Sequence, residues 1–250
     1  MQAWTPMLAI ATTVSSIQQM RDAFEGVLAQ MPMAPETPVR PTIAGGVAAL
    51  VVGADPAILY LHGGNYVLGS AYGYRPLAGL ALAVLLSLKA EGEAMPAGAA
   101  LLCPNLDLSG AMLTPSAGPH LLDELVRMCQ AYIAGHPLED PRVSPLLGDL
   151  TRLPPLLIQY ASGDRARPEA EALGRDARHA GVDVRAERYA ADTHVFHMFF
   201  PFLPEAADAV GQAGGFLADL LRPAPSATAS GDGGDLPPAS SRPRPSPRQI

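Results

Sequence analysis

Residues 155–173 read PLLIQYASGDRARPEAEAL, and this stretch passes from an apolar run through a polar loop into a helix-forming segment. The run 155–161 is short and aliphatic, which predicts a strand buried on both faces of a sheet. Residues 169–180 predict a helix. Asp164 lies in the loop between the two, so the stretch predicts one strand–loop–helix unit.

The segments on either side repeat this alternation. Strands are predicted at 47–52, 57–61, 98–103 and 182–190, and helices at 17–31, 75–89, 121–133 and 204–221. Four prolines within residues 31–41 predict a break in any helix there. Strands that alternate with helices indicate an α/β protein with a mostly parallel sheet flanked by helices.

Composition separates a folded body from a tail. The chain has 250 residues, of which 48% are apolar and 16% charged, as in a globular protein with a core. Residues 223–250 include seven prolines and few large aliphatic side chains, which predicts a disordered tail. Residues 1–222 then form a single α/β domain. The formal net charge of −7 argues against nucleic-acid binding.

Cysteine usage and hydropathy indicate the compartment. Cys103 and Cys129 lie in apolar surroundings, and their number and spacing favour buried free thiols over a disulfide framework or a metal site. Free thiols suit a reducing cytosol. The first 20 residues lack the features of a signal peptide, and no apolar run is long enough to span a bilayer. We therefore expect a cytoplasmic protein without a membrane span, and its oligomeric state is left open.

A glycine pair follows the apolar segment 57–61, in the motif His62, Gly63, Gly64 and Asn65. Successive glycines let the backbone turn sharply and leave its N–H groups unshielded. Such donors can stabilise an oxyanion that develops during acyl transfer. A plain glycine-rich turn is the alternative interpretation.

Two further residues are candidates for acid–base chemistry. Asp164 follows a predicted parallel strand, where catalytic groups gather, although a helix-capping or solvated aspartate is the alternative. His194 follows the predicted strand 182–190 and can act as a general base. His197 is expected to be a packing or solvated residue. A metal pair of His194 and His197 lacks a supporting ligand pattern nearby, so no metal site is expected.

Together these stretches resemble the hormone-sensitive-lipase-like branch of the α/β-hydrolases, a group of bacterial esterases and lipases. The resemblance runs from about residue 18 to residue 221 and is close in HGGNYVLGS, VSPLLGDLTRLPPLLIQYASGD and THVFHMFFPFLPEA. It implies a small-molecule ester substrate, no cofactor and hydrolysis of short-chain carboxylic esters by a Ser-His-Asp triad. It assigns the oxyanion hole to Gly63 and Gly64, the acid to Asp164 and the base to His194.

The chain departs from this family in one major respect. The family's nucleophilic serine lies in a G-x-S-x-G elbow, and no serine of this chain lies in that pattern. Asn65 in place of a third glycine and Pro168 in place of a second aspartate are smaller departures. We expect an inactive or very weak esterase, with a non-catalytic remnant or binding protein as the alternative.

The loss can be located in the sequence. Residues 75–79 and 80–92 resemble parts of two separate helices of the family and are joined here without a break. The missing block would be on the order of 60 residues, about two strand–helix units, so we expect a reduced α/β-hydrolase fold. Residues 47–52 and 57–61 can then pair as a hairpin across 53–56.

A fused helix that fills the space of two predicts loose packing and low stability. We expect the protein to unfold cooperatively on heating with a midpoint no higher than about 60 °C, within the range of mesophilic domains. Circular dichroism at increasing temperature measures this midpoint. A cooperative transition well above that temperature would contradict the expectation.

Overall fold

The computed structural model describes residues 17–28, 39–44, 47–52, 58, 81–109, 133 and 135–222. Helices and strands alternate along these residues, as predicted for an α/β protein. In chain order they are α1 (Ile17–Leu28), β1 (Val39–Ala44), β2 (Val47–Val52), α2 (Ala81–Glu91), β3 (Ala99–Leu102), β4 (Leu156–Ala161), α3 (Arg167–His179), β5 (Val184–Tyr189) and α4 (Pro204–Leu220). Two short 3-10 turns, Pro145–Leu147 and Phe196–Phe199, complete the described elements.

A three-stranded parallel sheet in the order β3-β4-β5 is the centre of the described fold. Leu156 of β4 lies opposite Ala99 of β3 on one side and Val184 of β5 on the other. The central strand is buried on both faces because helices cover a parallel sheet from both sides. This confirms the strand predicted at residues 155–161 and the parallel arrangement.

A separate two-stranded sheet lies nearer the N-terminus. Strands β1 and β2 pair antiparallel, with Val39 opposite Val52 and Ala44 opposite Val47. Strand β1 was not predicted from the sequence, although its extended residues 39–41 agree with the expected break of any helix over residues 31–41. Pro41 cannot donate a backbone hydrogen bond, but a strand at the edge of a sheet tolerates this loss.

Helix α2 packs against the parallel sheet. Its buried residues are Leu82, Leu85 and Leu86, whose spacing places them on one face of the helix. They join a core cluster that also contains Leu156 of β4 and Leu173 of α3. The burial predicted for this helix holds for one face only: the other residues of 81–91 are partly or fully exposed, and the helix packs against β3 and the turn Pro145–Leu147.

Lys89 fastens the C-terminal end of α2 to the loop that precedes β4. Its Nζ donates to Asp149 Oδ2 at 2.7 Å and to the Thr151 carbonyl at 2.7 Å. The Lys89 side chain is largely buried, so the ammonium group exchanges water for several protein acceptors. This contact holds Asp149 and Thr151 of that loop against the end of α2.

The other predicted elements divide into two groups. Helices α3 and α4 match the segments predicted at 169–180 and 204–221 to within two residues. Outside the described residues lie the predicted strand 57–61 apart from Ile58, the start of the helix 75–89, the helix 121–133 apart from Ile133, and the tail 223–250. None of the helices within the described ranges is long and apolar enough to cross a membrane.

A buried polar network links β4 with the turn Phe196–Phe199. Gln159 Nε2 donates to Glu187 Oε2 at 2.8 Å and to the Ala209 carbonyl at 2.9 Å. Gln159 Oε1 lies 3.1 Å from His197 Nε2. An amide oxygen only accepts, so His197 Nε2 carries the hydrogen and Nδ1 does not. That Nδ1 atom is buried without a hydrogen-bond partner.

Truncation of the central strand tests the core. Leu156 is fully buried, so Leu156→Ala removes packing atoms and leaves a cavity. We expect it to lower the free energy of unfolding by about 2–5 kcal/mol. Leu147→Ala is the matched control because Leu147 is about half exposed. Urea unfolding measures both, and equal losses in the two variants would contradict this core assignment.

His197 predicts a specific dependence of stability on pH. Burial, reinforced by the nearby His194, lowers the pKa of His197 from 6.5 to about 4. The folded protein therefore disfavours the protonated ring. Its contribution to stability is complete above pH 6.5 and declines as the pH falls towards about 4, by roughly 3 kcal/mol in total.

The variant His197→Asn isolates this contribution. Asparagine does not titrate, so the free energy of unfolding of the variant should decline less than that of the wild type between pH 6.5 and pH 4. Urea unfolding across this range measures the two slopes. Parallel pH profiles for the two proteins would show that His197 does not titrate in this way.

Candidate functional site

Asp164 and His194 meet at the carboxyl edge of the parallel sheet. Asp164 follows β4 and His194 follows β5, and these strands are neighbours. His194 Nδ1 lies 2.8 Å from Asp164 Oδ2. The Asp164 side chain is fully buried, whereas that of His194 is 32% exposed. The pair thus combines a shielded carboxylate with an imidazole that solvent can reach.

Asp164 is held by both carboxylate oxygens. Oδ1 accepts a hydrogen bond from the Ala166 backbone N–H at 2.9 Å, while Oδ2 faces His194. Burial acts to raise the pKa of Asp164, but the hydrogen bond and the charge of His194 outweigh it, so the pKa lies below its ordinary value. An ionised Asp164 only accepts, so His194 Nδ1 carries the hydrogen of this contact, and in the neutral ring Nε2 is the acceptor.

A glycine allows the two loops to approach. The Gly163 N–H donates to the Ala191 carbonyl at 2.9 Å, and the Ser162 N–H donates to the Tyr189 carbonyl at 2.9 Å. A Cβ atom on Gly163 would lie 2.7 Å from Asp192 Cα, closer than any side chain tolerates. The absence of a side chain at Gly163 therefore sets the spacing that brings His194 to Asp164.

Cys103 is a third member of the site, which the sequence analysis read only as a buried free thiol. It directly follows β3, is 3% exposed and lies beside the Asp164 carboxylate. One ligand atom each from Cys103, Asp164 and His194 lie within 4.8 Å of one another. Burial, followed by the negative charge of Asp164, raises the pKa of Cys103 to about 12. The thiol is therefore protonated and is not a substitute nucleophile.

The backbone is strained on both sides of the Asp164–His194 pair. Cys103 has φ +46° and Val195 has φ +51°, two of the three non-glycine residues with positive φ in the described part of the chain. This conformation is unfavourable for a side chain, and most of all for the β-branched Val195. Strain of this kind persists where the surrounding structure holds it, and it concentrates at functional sites.

Helix α3 anchors the loop that carries Cys103. The buried Glu169 accepts hydrogen bonds at Oε2 from the backbone N–H groups of Leu106 and Asp107. Burial raises the pKa of Glu169, although these donors act in the opposite direction. Since Glu169 lies five residues after Asp164, the same segment carries Asp164 and fixes the neighbouring loop.

His62, Gly63, Gly64 and Asn65 lie outside the described residues. Ser162, the serine nearest to Asp164 in sequence, donates its hydroxyl to the Tyr189 carbonyl at 2.8 Å. His197 faces Gln159, so the structure does not bring it together with His194 as a pair of metal ligands.

The position of Cys103 in sequence was the available signal for its role. It immediately follows the predicted strand's aliphatic residues, at the end where Asp164 follows the next strand of the sheet. Parallel strands gather such residues at one edge. Only the pairing of β3 with β4, which sequence spacing does not reveal, brings the thiol to the carboxylate.

Known proteins share this arrangement of elements. Residues 77–198 match a family model described as the alpha/beta hydrolase fold, and this range contains Asp164 and His194 but not residues 62–65. An esterase of Acinetobacter venetianus is 31% identical over 224 residues, which are 85% of this chain and 69% of the esterase.

Two further similarities support the same family. An acetyl-hydrolase of Streptomyces hygroscopicus is 37% identical over 192 residues, 73% of this chain, and the chain spans 61% of that relative's length. The crystal structure of an esterase from the bacterial hormone-sensitive lipase family superposes with a TM-score of 0.73 at 26% identity, covering 88% of this chain and 97% of the esterase. The chain belongs to the α/β-hydrolases, in the group of hormone-sensitive-lipase-like esterases and lipases.

Proposed function

We propose that this protein binds short-chain carboxylic esters and hydrolyses them at most slowly, with His194 as the base and Asp164 as the residue that orients it. The observation that carries the proposal is the 2.8 Å contact between His194 Nδ1 and Asp164 Oδ2, between a buried carboxylate and a solvent-accessible ring. Relatives named esterase and acetyl-hydrolase support the substrate class.

The proposed reaction uses water in place of a serine. No serine of the chain lies in a G-x-S-x-G elbow, so His194 Nε2 takes a proton from water, and the resulting hydroxide attacks the ester carbonyl. The backbone N–H groups of Gly63 and Gly64 stabilise the oxyanion. His194 then returns the proton to the leaving alkoxide. Sites without their nucleophile retain a rate above that in water, but far below that of a complete triad.

The alternative is a non-catalytic protein that binds an ester or an acyl group. The absence of the serine elbow favours it, since the residues that bind an ester do not depend on the nucleophile. Labelling with a fluorophosphonate probe separates these possibilities from a complete esterase. We expect no labelling, and stoichiometric labelling of a serine would overturn both versions of the proposal.

Turnover of p-nitrophenyl acetate tests the proposed roles. We expect weak hydrolysis that His194→Ala reduces to the level of the uncatalysed reaction and that Asp164→Asn lowers strongly, because asparagine disfavours the tautomer that leaves Nε2 free. His179→Ala is the matched control because His179 is exposed at the end of α3. Circular dichroism verifies that each variant folds.

The outcomes discriminate between the candidates. Hydrolysis that is unchanged in His194→Ala would refute the assigned base. No hydrolysis by the wild type, together with saturable binding of a non-hydrolysable ester analogue, would support the binding protein. If the wild type neither hydrolyses these esters nor binds the analogue, the proposal as a whole is overturned.

A further inference from the structure

We propose that Cys103, Asp164 and His194 form a binding site for Zn²⁺ or a similar borderline-soft divalent cation. Within the described residues these three form the one group of potential metal ligands that converge on a point, with their ligand atoms no more than 4.8 Å apart. A thiolate, an imidazole nitrogen and a carboxylate oxygen are the donor types that protein-bound zinc uses.

The dimensions of the site suit this ion. Zinc binds histidine nitrogen and carboxylate oxygen at about 2.0–2.1 Å and sulfur at about 2.3 Å, so neighbouring ligand atoms of a tetrahedral site lie roughly 3.3–3.6 Å apart. His194 Nδ1 and Asp164 Oδ2 are separated by 2.8 Å and need to open by only about half an ångström. The Cys103 sulfur lies within 4.8 Å of both other ligand atoms, so it needs to approach them by no more than roughly 1.2 Å.

An ion can reach this site from solvent, and one of its coordination positions would remain free for water. Cys103 and Asp164 are buried, whereas the 32% exposed side chain of His194 opens the site to solvent. Three protein ligands leave the fourth tetrahedral position for water, as in many exchangeable zinc sites. The Ala166 N–H holds the second carboxylate oxygen and thereby fixes the orientation of Asp164 as a ligand.

The protons can be followed through the binding step. The Cys103 thiol loses its proton to solvent and forms the sulfur–zinc bond. The hydrogen on His194 Nδ1 gives way to the metal, and Nε2 takes up a hydrogen from solvent, so the ring stays neutral. One proton is released for each ion bound. The cation then lies between His194 and Asp164 and replaces their hydrogen bond. If the proposed function holds, zinc therefore inhibits ester hydrolysis.

Cobalt and zinc binding to the full chain test the site without any measurement of activity. Co²⁺ bound to a thiolate gives a sulfur-to-metal charge-transfer band in the near ultraviolet, and tetrahedral Co²⁺ absorbs in the visible. We expect both features in the wild type, abolished by added Zn²⁺. Titration calorimetry in buffers of different ionisation enthalpy should report about one released proton per ion.

Variants of matched chemistry identify the ligands. Cys103→Ala should abolish the charge-transfer band and weaken zinc binding by roughly 100-fold or more, and His194→Ala should weaken it similarly. Cys129→Ala is the control because Cys129 is the second of the chain's two cysteines, and His179→Ala is the control for histidine. Both controls should bind as the wild type does. Cys103→Ser provides a second substitution if the alanine variant fails to fold.

Two results would overturn the inference. One is a cobalt complex of the wild type without the charge-transfer band. The other is zinc affinity that is unchanged in folded Cys103→Ala or Cys103→Ser. Failure of ester hydrolysis in the wild type would leave these measurements unaffected, so the metal site and the proposed function are tested separately.

Discussion

The parallel pairing of β4 with β5 is the constraint on which the site depends. It places the loops after both strands at one edge of the sheet, where the buried carboxylate of Asp164 accepts a hydrogen bond from His194. Gly163 lets these loops touch, and the carbonyls of Tyr189 and Ala191 tie them together. The charge of Asp164 remains buried because the imidazole and the Ala166 amide compensate its lost hydration.

A network of hydrogen-bonded polar side chains adjoins this edge of the sheet. Gln159, on the central strand, connects Glu187 of β5, the Ala209 carbonyl of α4 and His197 of the turn after His194. This network holds the turn Phe196–Phe199, which His194 and the strained Val195 directly precede. His197 thus connects the network to the segment that follows His194, and burial lowers the pKa of its ring.

This chain keeps the contact between His194 and Asp164 but has no serine elbow. The parts of the fold that position this pair are therefore separate from the turn that would carry a nucleophile. Asp164 and His194 are brought together by the ends of β4 and β5 and by the close loop approach at Gly163. The nucleophile of the family needs its own strand-to-helix turn, and no such sequence is present. The Cys103 thiol lies beside the partly exposed ring of His194. A thiol is not needed for proton transfer between His194 and water, but it is a ligand for the proposed metal ion.

The sequence by itself determined the α/β class, the parallel strands at residues 98–103, 155–161 and 182–190, and the pairing of Asp164 with His194 as candidates. Burial periodicity and strand–helix alternation are local properties, which sequence records directly. Strand β1 was missed because Pro41 favours a break, and only its pairing with β2 stabilises the extended backbone. The proximity of Cys103 to Asp164 was decided by the tertiary structure, because it arises from the pairing of β3 with β4 between residues about 60 positions apart.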